Sequence, residues 1–303
     1  MEAPDSKRIR PESASGVIYA GAAFLIWGVG PIYWKALAAV SPLEIICHRV
    51  IWSFAFLLIL IIASRRWQEF FSVLKSVRIL LTLASSAAIL TLNWLIYIWA
   101  INNEHILQGS LGYYINPLIN VVFGVLILRE RLRPFQVLAV ALAGAGVVYL
   151  TFSYGEFPWI ALALACSFGL YGLIRKVAPV GPLVGLTVET MLLTAPAAAY
   201  LVYAEAEGSA AFLNAGIQID LLLLGTSVLT AVPLILFTAG ARRINLSTLG
   251  LMQYIAPTGI FLLGVLYYNE PFSPPKVWTF IMIWTALAVY STDSILCYRR
   301  MGR

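Results

Sequence analysis

Two ionisable residues, Arg49 and Glu189, stand inside long apolar runs, 140 positions apart. A charge in such a run is costly to insert into a bilayer, about 2.5–3.5 kcal/mol, so each needs a reason to be there. One reason is to meet a polar solute in a cavity between helices, directly or paired with each other. The other is a structural ion pair that fixes helix register. His48 precedes Arg49 and so lies about 100° away around a helix. An imidazole there either relays protons or hydrogen-bonds within the packing. Glu189 is the stronger candidate for coupling to a proton, although an arginine partner would hold it charged. Lys35 closes an apolar run after Tyr33-Trp34. It reads as a rim charge that attracts an anion or as a lysine snorkelling to the interface.

Amides and aromatics extend the set. Asn93, Asn116 and Asn120 interrupt apolar runs, and the last two share one helix face with Tyr113 close by. Pro117 deprives the Tyr113 carbonyl of its usual donor, and Gln253, Tyr254 and Pro257 offer a second such segment. Helices kinked in this way either line a water-filled cavity or hydrogen-bond to neighbouring helices. Trp27, Trp94 and Tyr171 lie deep enough to stack on an aromatic or cationic solute. Trp99, Tyr267 and Tyr268 have the place of interfacial belt residues. Cys47, Cys166 and Cys297 have no metal-ligand spacing, and two histidines are too few for a metal cluster. There is no GxxxxGK[ST], HExxH or GxSxG motif, so neither an enzyme nor a resident cofactor or metal is expected.

The elements that must carry these residues are membrane spans. Charged residues make up 11% of the chain, against roughly 25% in soluble domains, and 61% are hydrophobic. Ten continuous apolar runs are long enough to cross: about 17–38, 44–63, 79–100, 108–128, 134–152, 158–175, 184–203, 219–240, 246–267 and 276–297. Continuous rather than alternating patterning makes them helices. If the chain starts inside, 17 of the 20 Lys and Arg fall on the inner side; they include Arg175, Lys176, Arg242 and Arg243. The positive-inside rule then puts both termini in the cytoplasm and explains the net charge of +6 without nucleic acid. Residues 1–16 read as a polar cytoplasmic tail. Arg129-Glu130-Arg131 and Arg242-Arg243 read as topology anchors or inner-gate ion pairs. Ala141, Gly144, Ala145 and Gly146 let the fifth span pack closely on a neighbour or on a second copy of the chain.

The runs repeat. Residues 113–130, YYINPLINVVFGVLILRE, align without a gap on 253–270, QYIAPTGIFLLGVLYYNE, with seven of eighteen positions identical. These include Tyr114/Tyr254, Pro117/Pro257, Gly124/Gly264 and Glu130/Glu270, and Arg49 aligns with Glu189. The chain therefore divides into residues 17–152 and 153–303, five spans each. Five is odd, so the second unit is expected upside down relative to the first. Inverted repeats of this kind are typical of secondary transporters.

HRVIWS (48–53), NWLIYIWA (93–100), SLGYYINPL (110–118), YGLIRK (171–176) and STLGLMQYIAPT (247–258) resemble the RarD family, in the EamA group of the drug/metabolite transporter superfamily. The resemblance spans nearly the whole chain and its motifs lie in order. It implies two inverted EamA repeats in the bacterial inner membrane and tilts Lys35 towards the site. The expected function is export or exchange of a small organic solute by alternating access. Spans three, four, eight and nine would form a scaffold, with spans one to two and six to seven rocking around it. A passive channel of the same fold is the alternative.

Overall fold

In the computed structural model, the described residues are 13–103, 105–153, 155, 157–267 and 274–301, and they form helices and connecting turns without strands. The helices are α1 (Ala14–Ala36), α2 (Pro42–Ala63), α3 (Trp67–Leu74), α4 (Val77–Asn102), α5 (Ile106–Leu126) and α6 (Pro134–Ser153). They continue as α7 (Trp159–Val177), α8 (Pro182–Ala206), α9 (Ile217–Ala241), α10 (Leu246–Met252), α11 (Ile255–Leu266) and α12 (Pro274–Met301). Ten segments are long and apolar enough to span a membrane, with α10 and α11 together making the ninth. All ten expected runs are present. Four helices open on a proline, at 42, 134, 182 and 274, where the missing N–H would have had no partner in the helix. Those prolines are two pairs at the repeat offset of 140.

Three details depart from the expectation. Helix α1 already begins at Ala14, within the segment read as a polar tail, and residues 1–12 lie outside the described residues. Helix α3 is an additional short amphipathic element: Phe70 and Val73 are buried while Phe71 stays half exposed. Eight residues are too few to register as a span. The ninth span breaks at Gln253–Tyr254, whereas α5 runs unbroken through its own Pro117. The two helices tie to each other at this level, where the Tyr254 hydroxyl donates to the Tyr114 carbonyl at 3.1 Å. That carbonyl neighbours the one Pro117 leaves without its helical donor.

The packing repeats as the sequence does. Helix α1 packs on α9 and α11, and its counterpart α7 packs on α4 and α5. Helix α2 packs on α9, and its counterpart α8 on α4. Helices α2 and α8 meet each other, as do α5 with α10 and α6 with α12. The first two spans of each half thus lie on the third and fourth spans of the other half. Gly28 of α1 passes Gly259 of α11 so closely that an added Cβ would come within 3.5 Å of Gly259 Cα. In the twin crossing, an added Cβ on Gly169 would lie 2.9 Å from Ile119.

The repeated glutamate has a structural task. Glu130 takes the Leu246 amide at 2.6 Å on Oε1, and on Oε2 the Ser247 amide at 2.9 Å and hydroxyl at 2.6 Å. A carboxylate from the first half thereby satisfies the orphan donors opening α10 in the second. Gly124 makes the room, since a Cβ there would sit 2.5 Å from Glu130 Oε2. Glu130 is thus a helix cap between the halves; Glu270 lies outside the described residues. Gly124→Ala should displace the carboxylate and cost about 1–3 kcal/mol, the penalty for buried donors left unmet. It would be read as a lower melting temperature in detergent, and an unchanged temperature would refute the cap.

Candidate functional site

Arg49 and Glu189 each stand seven residues past the proline that opens their helix, Arg49 on α2 and Glu189 on α8. The structure does not pair them. Arg49 donates from Nε to Thr230 Oγ1 of α9 at 3.0 Å. Its guanidinium carbon lies 5.0 Å from the ring centre of Trp34 and 4.7 Å from that of Trp94, within cation–π range. Tyr113 of α5 lies near enough to feel its charge and meets Tyr97 of α4 edge-on at 6.1 Å. Tyr113 nevertheless keeps 42% of its surface accessible, and Arg49 is only partly buried. Polar and aromatic groups from five helices thus converge on Arg49 with some of their surface left accessible. Trp94 and Tyr113, both singled out in the sequence, stand beside Arg49. Trp34, Tyr97 and Thr230 join them without a sequence signal beyond their polarity.

Glu189 is closed in. Its Oε1 lies 3.5 Å from Arg175 Nε, and it accepts a short hydrogen bond from Ser86 of α4. Arg175, Ser86 and Tyr171 are fully buried and Glu189 nearly so. Arg175 Nη2 also donates to the Pro182 carbonyl at 3.2 Å. Arg175 Nη1, Glu189 Oε2 and the Tyr171 hydroxyl find no hydrogen-bond partner. Gly185 leaves the space this guanidinium fills, since an added Cβ would lie 2.7 Å from its central carbon. Arg175 had read as one of the inner topology charges. It lies two residues from the end of α7, and only the tight turn into α8 brings it back against Glu189. Tyr171 is correspondingly a core residue, stacked on Phe237 at 6.3 Å, and not a surface for a solute.

The amides act as ties between helices. Asn120 donates to Gln253 Oε1 at 2.7 Å and to Asn116 Oδ1 at 3.3 Å, all three being buried. Tyr254 is sealed. Asn116, Asn120, Gln253 and Tyr254, with Pro117, therefore belong to the contact between α5 and the break after α10 and do not wall a cavity, and Pro257 is buried in α11. Asn93 joins α4 to α7 through the Leu164 carbonyl and Ser167 hydroxyl, both at 2.9 Å. Lys35 is exposed in the last turn of α1, where both readings of it remain.

His48 turns away from Arg49. Its Nδ1 accepts from Trp52 at 3.0 Å, its ring packs on Phe212, and its Nε2 lies 3.8 Å from Glu44. With Glu44, Glu205 and Phe212 it borders a separate cavity of about 590 Å³. Glu44 accepts the Ala211 and Phe212 amides and Asp220 the Leu213 amide, which clamps the α8–α9 loop. At the opposite ends of the helices, Arg242 donates to the Ala178 carbonyl, and Lys176 to those of Ala241 and Ile244. Burial, then the nearby Arg175 and Arg243, lower the Arg242 pKa. These contacts cap helix ends, and no ion pair joins Arg242 or Arg243 to Glu130 among the described residues. Gly146 of α6 packs on Thr279 and Met282 of α12, so this part of the small-residue stripe is used within the chain. Tyr267 and Trp99 are exposed as belt residues would be, and Tyr268 lies outside the described residues.

Ten apolar helices and a part-accessible polar site between them define a multi-pass membrane protein of transporter type. The EamA-like transporter family model matches residues 14–152. The chain is 44% identical to Protein RarD of Escherichia coli K12, over 99% of this chain and 100% of that protein. It belongs to the RarD proteins of the EamA-like transporter family. An uncharacterized transporter of Vibrio cholerae is 47% identical over 94% of each chain. The chloramphenicol-sensitive protein RarD of Pseudomonas aeruginosa is 31% identical, over 96% of this chain and 98% of its own. A solved crystal structure matches with a TM-score of 0.71 at 21% identity, over 95% of this chain and 99% of that one, and shows the fold alone.

Proposed function

We propose that the protein is a secondary carrier of small organic solutes across the bacterial inner membrane. Its two five-helix halves are inverted, both termini are cytoplasmic, and it works by alternating access as an exporter or exchanger. The observation that carries this reading is the contrast between the two equivalent charged sites. With the N-terminus inside, Arg49 lies in the outer half of the bundle and keeps accessible surface. Glu189 lies in the inner half and is sealed with Arg175 and Ser86. One half open and its counterpart shut is the asymmetry that exchange between two states requires.

The contacts differ in register as well. Ser86, which bonds Glu189, aligns with Thr226 at the repeat offset, but Arg49 bonds Thr230, one helical turn further along. One-turn displacements of packed elements are a known form of two-state switching. The moving blocks of this reading are α1 with α2 and α7 with α8, each lying on the third and fourth spans of the other half.

A carrier shows trans-stimulation in counterflow across proteoliposomes. Uptake indifferent to solute on the far side would instead establish a passive facilitator. A second reading adds proton coupling through Glu189, favoured by its Oε2, which no hydrogen-bond donor of the protein reaches. Under it an imposed pH gradient drives uptake, and folded Glu189→Gln protein loses that response.

A further inference from the structure

We infer that the guanidinium of Arg49 is a binding site for one carboxylate, and that the solutes carried are small organic monoanions with an apolar, planar body. This rests on the carrier reading and narrows it to a chemical class.

Among the described residues no carboxylate lies within ion-pair distance of Arg49. Its contacts are a hydroxyl at Nε and the rings of Trp34 and Trp94. Indole rings and a hydroxyl solvate a cation without neutralising it. Both Nη groups lack a protein acceptor among the described residues, and neither is fully buried. The guanidinium carbon stands over both indole rings, and the Nη groups keep their N–H donors unspent. The two Nη groups of a guanidinium form a planar fork of parallel N–H donors, the geometry that matches a carboxylate.

The other charged residue of this pair of sites is spoken for, since Glu189 is held by Arg175 within a sealed core. Arg49 therefore supplies one uncompensated positive charge. A monoanion completes it, whereas a dianion would bring a second charge into a low-dielectric site unpaired. Organic cations would face the same charge in repulsion. The surrounding surface is aromatic, with Trp34, Trp94, Tyr97 and Tyr113 presenting flat apolar area beside a few polar groups. Such a wall suits an aromatic or similarly planar body.

The test is thermal stabilisation of the purified full-length protein by three probes of one shape: phenylacetate, phenylacetamide and phenethylamine. Binding to the native state raises the melting temperature by mass action. Phenylacetate at millimolar concentration is expected to raise it, with the amide and the amine without effect. In Arg49→Gln the concentration needed for the same shift should rise at least about tenfold, the loss of a charge-assisted bond. Arg49→Lys keeps the charge without the flat fork and should fall between the two, which provides a reading if the glutamine variant misfolds. The proposal is overturned if phenylacetate gives no shift, if the amide or amine stabilises equally, or if Arg49→Gln keeps the full shift. The carrier reading fails separately: carboxylates that bind through Arg49 yet show no trans-stimulation would leave the site and remove the carrier.

Discussion

Glu189→Leu is expected to lower the stability of this protein by about 3–5 kcal/mol, the usual cost of stripping one partner from a buried ion pair. The variant leaves Arg175, with no accessible surface, facing an apolar side chain. Its remaining partner is the Pro182 carbonyl, which accepts a hydrogen bond but carries no charge. Arg175→Met should behave similarly, because it strands the carboxylate against Ser86. The double variant Arg175→Met/Glu189→Leu should recover most of the loss, since well-packed apolar residues replace a buried pair at little cost. Gly185→Ala reaches the same end without touching a charge, by placing a methyl group where the guanidinium now lies. Unfolding in mixed micelles measures all four. Single variants that shift stability by less than about 0.5 kcal/mol, as exposed substitutions do, would show that the pair contributes nothing. A double variant as unstable as the singles would place the effect in packing.

Transport should depend as sharply on Arg49. Arg49→Gln, reconstituted at wild-type amounts, is expected to reduce carboxylate uptake by about 10- to 150-fold, corresponding to about 1.5–3 kcal/mol for a charge-assisted hydrogen bond. The protein should still fold, since Arg49 closes no ion pair and its removal strands only the Thr230 hydroxyl. That separates it from the Arg175–Glu189 variants, whose deficit is in stability. Trp94→Ala should weaken uptake less, because it removes one of two ring contacts, each worth about 0.5–2 kcal/mol. Normal uptake by Arg49→Gln at normal membrane level would take Arg49 out of the solute's path.

The ten spans and the two-fold repeat are already legible in the amino-acid order. Both rest on properties that survive without tertiary contacts. A run of about twenty apolar residues has one viable backbone in lipid, and a duplicated segment keeps its proline, glycine and glutamate in register. The same order picked out Arg49, Glu189, Trp94 and Tyr113, because charges and aromatics inside apolar runs stand out whatever surrounds them. Partners are a different matter. Equivalent positions in the repeat offered Arg49 as a partner for Glu189, but Glu189 is answered by Arg175, a residue that looked like an inner topology charge until the α7–α8 turn folded it inward. Asn116, Asn120, Gln253 and Tyr254 looked like cavity walls and prove to be ties between α5 and the broken ninth span. The reason is general to helices in membranes. Periodicity says how far a side chain sits along its own axis, while the neighbour it meets depends on how helices distant in sequence rotate and cross. In this chain the close approaches at Gly28, Gly169 and Gly185 settle that, by letting a backbone, apolar side chains or a guanidinium into space a methyl group would fill.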